Sequence, residues 1–118
     1  MYTHSLFEII SHTGEAILDL VVEMQGADEL FASPNTLAAI ELQLSIMANT
    51  MAHLPPILHL RLPQIDWAGW GAVHQALQAG QEPRRDIVWY AVCALVPATL
   101  VLLDKLRRRE PELFAIVY

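Results

Sequence analysis

The chain has 118 residues, enough for one domain that withdraws about two-thirds of its unfolded surface from water. Hydrophobic residues make up 54% and charged residues 17%, an apolar excess that a soluble chain has to cover, with a subunit interface as the natural cover. The net charge of −6 argues against broad nucleic-acid binding, and one cysteine, Cys93, leaves no disulfide within the chain.

In chain order, the first helix is predicted over residues 3–25. Leu6, Ile10, Thr13, Ile17, Leu20 or Val21, and Met24 recur every three or four positions, while Glu8, Glu15, Asp19 and Glu23 fall mostly on another face. Gly26 is the expected C-cap, and residues 27–32 a short connection. Ser33-Pro34 reads as an N-cap followed by proline at the first helical position. The second helix then runs through Leu37, Ile40, Leu44, Met47 and Met51 until Pro55-Pro56 stops it. Residues 57–62 fit either a short irregular helix or an extended link. Asp66 is the N-cap expected for a third helix, with Trp67, Trp70, Val73 and Leu77 on one stripe and Gly80 at its end. The fourth helix is expected from near Asp86 to about Arg109, where Lys105 and Arg107 to Arg109 suit a helix C-terminus and Pro111 ends the run. The pattern predicts an all-α single domain, residues 1–118. Its expected architecture is an antiparallel four-helix up-and-down bundle with a short extra helix or irregular link between helices two and three.

The fourth helix is apolar nearly all round, so it is expected at the centre, covered on its far side by a second helix layer or a second subunit. Residues 87–103 carry no charge, but a spanning helix needs about 20 apolar residues and this run contains Pro97. A buried central helix is expected, with no membrane. Pro97 is expected to bend it. Cys93, inside this run, reads as a buried structural thiol. No secretory leader is visible, so a cytoplasmic location is expected.

Charge is unevenly placed. Residues 1–60 contain seven acids and no Lys or Arg, whereas residues 61–118 contain all seven bases and six acids. Two readings stand: solvated acidic helix faces, or an acidic face that docks a basic partner.

Glycine-rich phosphate loops, paired cysteines and HExxH are absent. His4, Glu8 and His12 lie near one helical face, but they spread over two turns, so neither a metal site nor a cofactor is expected. His53 and His59 flank the prolines without a partner spacing. Trp67, Trp70 and Trp89 are candidate partner-binding residues, although tryptophans at helical spacing also serve as core.

Several pieces together resemble HepT-like proteins of the HEPN class, the helical partners of minimal nucleotidyltransferases. They are Met24-Gln25-Gly26 up to Phe31, Ala38-Ala39-Ile40-Glu41-Leu42, Pro63-x-Ile65-x-Trp67, Ile87-Val88-Trp89 and Val96-Pro97-Ala98-Thr99-Leu100. The resemblance runs over most of the chain, with Pro63-x-Ile65-x-Trp67 its most specific part. It implies metal-independent RNases, usually dimers, whose third helix carries Arg followed by Asn, then a His and a Tyr. The His moves a proton at the ribose 2′-hydroxyl and the Arg steadies the phosphate charge.

Here the positions matching the family's Arg and Asn are His74 and Gln75, and those matching its His and Tyr fall near Ala79 and Gln81. The nearest preceding Arg is Arg61, so His74 lacks a phosphate clamp unless Arg84, Arg85 or a second subunit provides one. The resemblance therefore implies a catalytically degraded homologue, a homodimeric interaction module paired with a nucleotidyltransferase-type antitoxin. The rival expectation is an active RNase toxin, and hence an RNA partner, with a rearranged site centred on His74.

Overall fold

Helical apolar periodicity governs the chain from end to end, and the structure, a computed structural model, is all-helical. It describes residues 2–79 and 84–109, with no strand among them. Helix α1, Tyr2–Val21, buries Leu6, Phe7, Ile10, Thr13 and Ile17, and leaves Glu8, Glu15 and Asp19 exposed. It ends earlier than the expected residue 25, in a turn where Met24 N–H donates to the Val21 carbonyl at 2.9 Å. Gly26 is not its C-cap. Its backbone is extended (φ 176°), and it opens a second helix, α2, Ala27–Phe31, where the sequence predicts only a connection. The fully buried Leu30 anchors this short helix. Asp28 and Glu29 occupy its first turn, where acidic side chains oppose the partial positive charge of the N-terminus.

Helix α3, Pro34–Ala52, starts at the predicted Ser33-Pro34 pair. The Ser33 hydroxyl does not cap it, and donates instead to the Glu29 carbonyl at 3.0 Å. Ile40, Leu44, Met47, Ala48 and Met51 form its buried face. Beyond Pro55-Pro56, the unassigned link contains a short helix, α4, Ile57–Arg61. Leu54, Leu58, Leu62 and Ile65 are buried and pin this irregular stretch to the core. Helix α5, Trp67–Ala79, begins where expected: Asp66 Oδ1 accepts from Gly69 N–H at 2.9 Å, an N-cap bond. The predicted turn at residues 81–85 lies largely outside the described residues.

Helix α6, Arg84–Tyr90, leads into a π turn, Ala91–Leu95, and then into α7, Val96–Arg109. The π turn sits directly before Pro97. Proline has no N–H to return to Cys93, and the wider turn absorbs the defect, with Val96 N–H reaching back to the Ala91 carbonyl. This widening is the form that the expected disturbance at Pro97 takes.

Helix α1 packs on α3, α3 on α5, and α5 on α6 and the π turn, while α7 returns to α1. Phe7, Ile40, Met47, Val73, Val92 and Leu106 meet in the common core. Gly14 permits the close approach of α1 to α7, since a Cβ there would lie 2.8 Å from Leu100 Cδ2.

The segment from Asp86 to Arg109 is long and apolar enough to cross a membrane by length and composition, and 39% of its most apolar stretch is buried inside the fold. It is therefore not covered all round. Val88, Val92, Leu95, Val96, Thr99, Leu103 and Leu106 face the core, whereas Tyr90, Cys93, Ala94, Ala98 and Val101 lie exposed. Among the described residues no second helix layer covers that side, so the expected central position is only half realised.

Candidate functional site

Helix α5 carries the positions that the resemblance marks as catalytic. Its stripe of Trp70 and Val73 points into the core, so His74, the next residue, falls at the core's edge and is half-buried. There it lines a half-open pocket of about 270 Å³ between α3 and α5, together with Met51, Trp67, Trp70, Gly71 and His59. The Gln78 amide lies 3.3 Å from His74 Nε2, one helical turn on. It can donate to that nitrogen when the ring proton is on Nδ1. Gln75 is exposed and does not line the pocket.

The pocket's second imidazole has no counterpart in the sequence expectation. His59, on α4, stacks face to face on Trp67 with ring centroids 4.0 Å apart and planes 8° from parallel. Trp67 is held in turn by its indole N–H, which donates to the Leu62 carbonyl at 3.0 Å. A signal existed: Leu54, Leu58 and Leu62 recur every fourth residue, as in a helix anchored on the core, with His59 beside that row. His53 is engaged separately, its Nδ1 lying 2.7 Å from the Asn49 carbonyl.

The three tryptophans do not share one surface. Trp70 is 2% exposed, and its indole N–H donates to the buried Thr99 hydroxyl at 3.0 Å, tying α5 to α7. Trp67 is half-buried at the pocket wall. Trp89 packs half-buried against the core from α6, away from the pocket.

Electrostatically the pocket is plain. Among the described residues, none that lines it is Arg, Lys, Asp or Glu. Asp66, the nearest carboxylate in sequence, is occupied: one oxygen caps α5 and the other accepts from the Tyr90 hydroxyl at 3.0 Å. That hydrogen bond and the carboxylate's charge hold the Tyr90 phenol above its usual value of 10.0. The side chains of Ala79, Arg84 and Arg85, and all of Gln81, lie outside the described residues, as does the His4 side chain of the His4–Glu8–His12 set. Among the described residues no three His, Cys, Asp or Glu side chains gather as a metal site.

A larger groove, of about 410 Å³, lies across the link. Leu62, Ile65 and Leu106 form its floor, and Lys105, Arg108 and Arg109 its rim. The cations that the imidazole pocket lacks are thus gathered at the far end of α7. Cys93 is exposed rather than buried, because it sits on the uncovered side of the π turn. Partial desolvation still pushes its thiol above the usual value.

Chemically, the pocket offers two imidazoles and the half-buried Trp67 ring, on which His59 already stacks, while Trp70 is buried in its wall. Among the described residues it offers no cation to stabilise developing phosphate charge, which is usually the largest catalytic contribution. Comparison of the chain with protein-family models, with curated proteins and with solved structures finds no match.

Proposed function

We propose that the chain is a catalytically degraded HepT-like protein: a homodimeric helical interaction module that pairs with a nucleotidyltransferase-type partner in the cytoplasm. Its helices α1, α3, α5 and α6–α7 correspond in this reading to a four-helix up-and-down bundle, with α4 in the link between the second and third members. The observation that carries the reading is the pocket at His74. At the position matching the family's Arg stands a half-buried imidazole, Gln75 points elsewhere, and no cation among the described residues lines the cavity. The apolar side of α6 and α7 left in solvent supports association, and the exposed acids of α1 offer a face for a basic partner.

The direct test is incubation of the purified protein with total RNA and tRNA. No cleavage above the buffer control is expected, in wild type or in His74→Ala. Cleavage by the wild type that disappears in His74→Ala would overturn the reading. One observation favours the rival RNase toxin: His59 brings a second imidazole to the pocket, so the roles of base and acid could be divided between the two rings. The paired variant His59→Ala distinguishes a two-histidine site from a His74 site.

A further inference from the structure

We infer that the uncovered side of the α6–π turn–α7 segment is the surface on which a second copy of this chain packs, antiparallel, about a twofold axis near Ala94 and Pro97. The inference rests on the dimer reading above and gives it a face and a register.

The face is defined by exposure. Tyr90 is 47% and Val101 53% exposed, and Cys93, Ala94 and Ala98 between them are also in solvent. Within the segment no charged residue interrupts this stretch, whose first charges are Asp86 at one end and Asp104 and Lys105 at the other; beside it, the Asp66 carboxylate holds the Tyr90 hydroxyl at the edge of the face. The opposite side of the same segment is spent in the core, and no other helix among the described residues covers this side.

Charge and size choose the occupant. In an antiparallel pair, Asp86 of one copy stands opposite Lys105 of the other, Tyr90 opposite Val101, Cys93 opposite Ala98, and Ala94 opposite Pro97. Every one of these pairings holds at a single register, and the twofold axis repeats each of them. The largest side chains flank the centre and the smallest occupy it, so the backbones can approach closely at the crossing. Asp104 is already paired with Arg108 at 3.1 Å, which leaves Lys105 as the cation facing the partner's Asp86. A parallel pair would instead set Asp86 against Asp86. A membrane fits less well, because the uncharged run of residues 87–103 is about 25 Å long at the helical rise, against a hydrocarbon core of about 30 Å, and one side of it is packed into the core.

The test uses the full chain and measures mass by light scattering across concentration, with far-UV circular dichroism as the control for folding. Ala98→Glu, at the centre of an exposed face, is expected to give a folded monomer. Asp86→Lys and Lys105→Asp are each expected to raise the dimer dissociation constant about five- to tenfold, and the double variant to return it to within about twofold of wild type. Ala98→Cys is expected to form an intermolecular disulfide with Cys93 under mild oxidation, and Cys93→Ser to abolish it, since the bond requires Cα atoms about 4.4–6.8 Å apart. A wild-type dimer that survives Ala98→Glu and gives no such cross-link would overturn this face while leaving the dimer reading standing. A monomeric wild type would overturn both. Binding of a monomer to phosphatidylcholine–phosphatidylglycerol vesicles, lost in Ala98→Glu, would assign the face to lipid and overturn the pairing.

Discussion

The imidazole pocket and the outer side of α6–α7 lie on different sides of α5, and they differ in kind. The pocket gathers groups with chemical potential, His59, His74, Trp67 and Trp70, but their polar atoms are largely committed to local contacts: Trp67 to the Leu62 carbonyl, Trp70 to Thr99, His74 to Gln78. The outer side of α6–α7 contains almost no chemistry and leaves apolar surface in water. In the pocket, side chains with catalytic potential are engaged in local contacts, whereas on the outer side residues suited only to contact are left open. In a chain with this apolar excess, the second pattern carries more information about function than the first.

The contrast is sharpest between the two tryptophans of α5. Trp70→Ala removes a ring that is 2% exposed and strips the Thr99 hydroxyl of its donor, so a loss of about 3–5 kcal/mol is expected in urea unfolding. Trp67→Ala removes a half-buried ring with one hydrogen bond and a stacking partner, and about 1–2 kcal/mol is expected. Equal losses would mean that the Trp67 side of the pocket wall is as integral to the core as Trp70.

Asp66 joins the two regions. Asp66→Ala removes the N-cap of α5 and the acceptor of the Tyr90 hydroxyl, and about 1 kcal/mol is expected, read by the same urea titration. Asp66→Asn, which keeps a capping oxygen, is expected to recover most of it. If both variants lose the same amount, the carboxylate's charge rather than its capping geometry is what matters.

How much of this was legible in the sequence depends on how local each signal is. The helix starts at Pro34 and Trp67 follow from residues that act within one turn, Ser33-Pro34 and Asp66, and both are found. The role of Gly26 was misread because a glycine after an apolar row suits either a helix end or the entry to another helix. The fully buried Leu30, a long-range fact, decides it. The apolar row of residues 87–103 predicts a helix well and its environment badly. Composition cannot distinguish a face turned to the core from one turned to a partner, and Cys93 was placed on the wrong side for the same reason. His74 is legible from its distance after the Pro63-x-Ile65-x-Trp67 motif. His59 is not, because its partner Trp67 lies across an irregular link that spacing rules do not reach.

Smaller effects test the pocket itself. His74→Ala, at a half-exposed position with one side-chain contact, is expected to change stability by no more than about 0.5 kcal/mol. A larger loss would mean that the imidazole is a core element rather than a remnant. The smallest expected effect concerns Tyr90, whose folded pKa is raised. Its contact with Asp66 is therefore fully present below pH 10 and is lost as the pH rises through the raised value. An absorbance titration at alkaline pH is expected to show one phenol ionising later than a free tyrosine, and Tyr90→Phe is expected to remove that late phase. If the late phase persists in the variant, the hydrogen bond to Asp66 is not what holds the proton.

The most direct test of association as the chain's function is the solution mass of the wild-type protein by sedimentation over a wide concentration range. A species of twice 13.2 kDa, dissociating only on dilution, is the predicted result. A mass of 13.2 kDa at every concentration would contradict it, leaving the open side of α6–α7 without its partner copy.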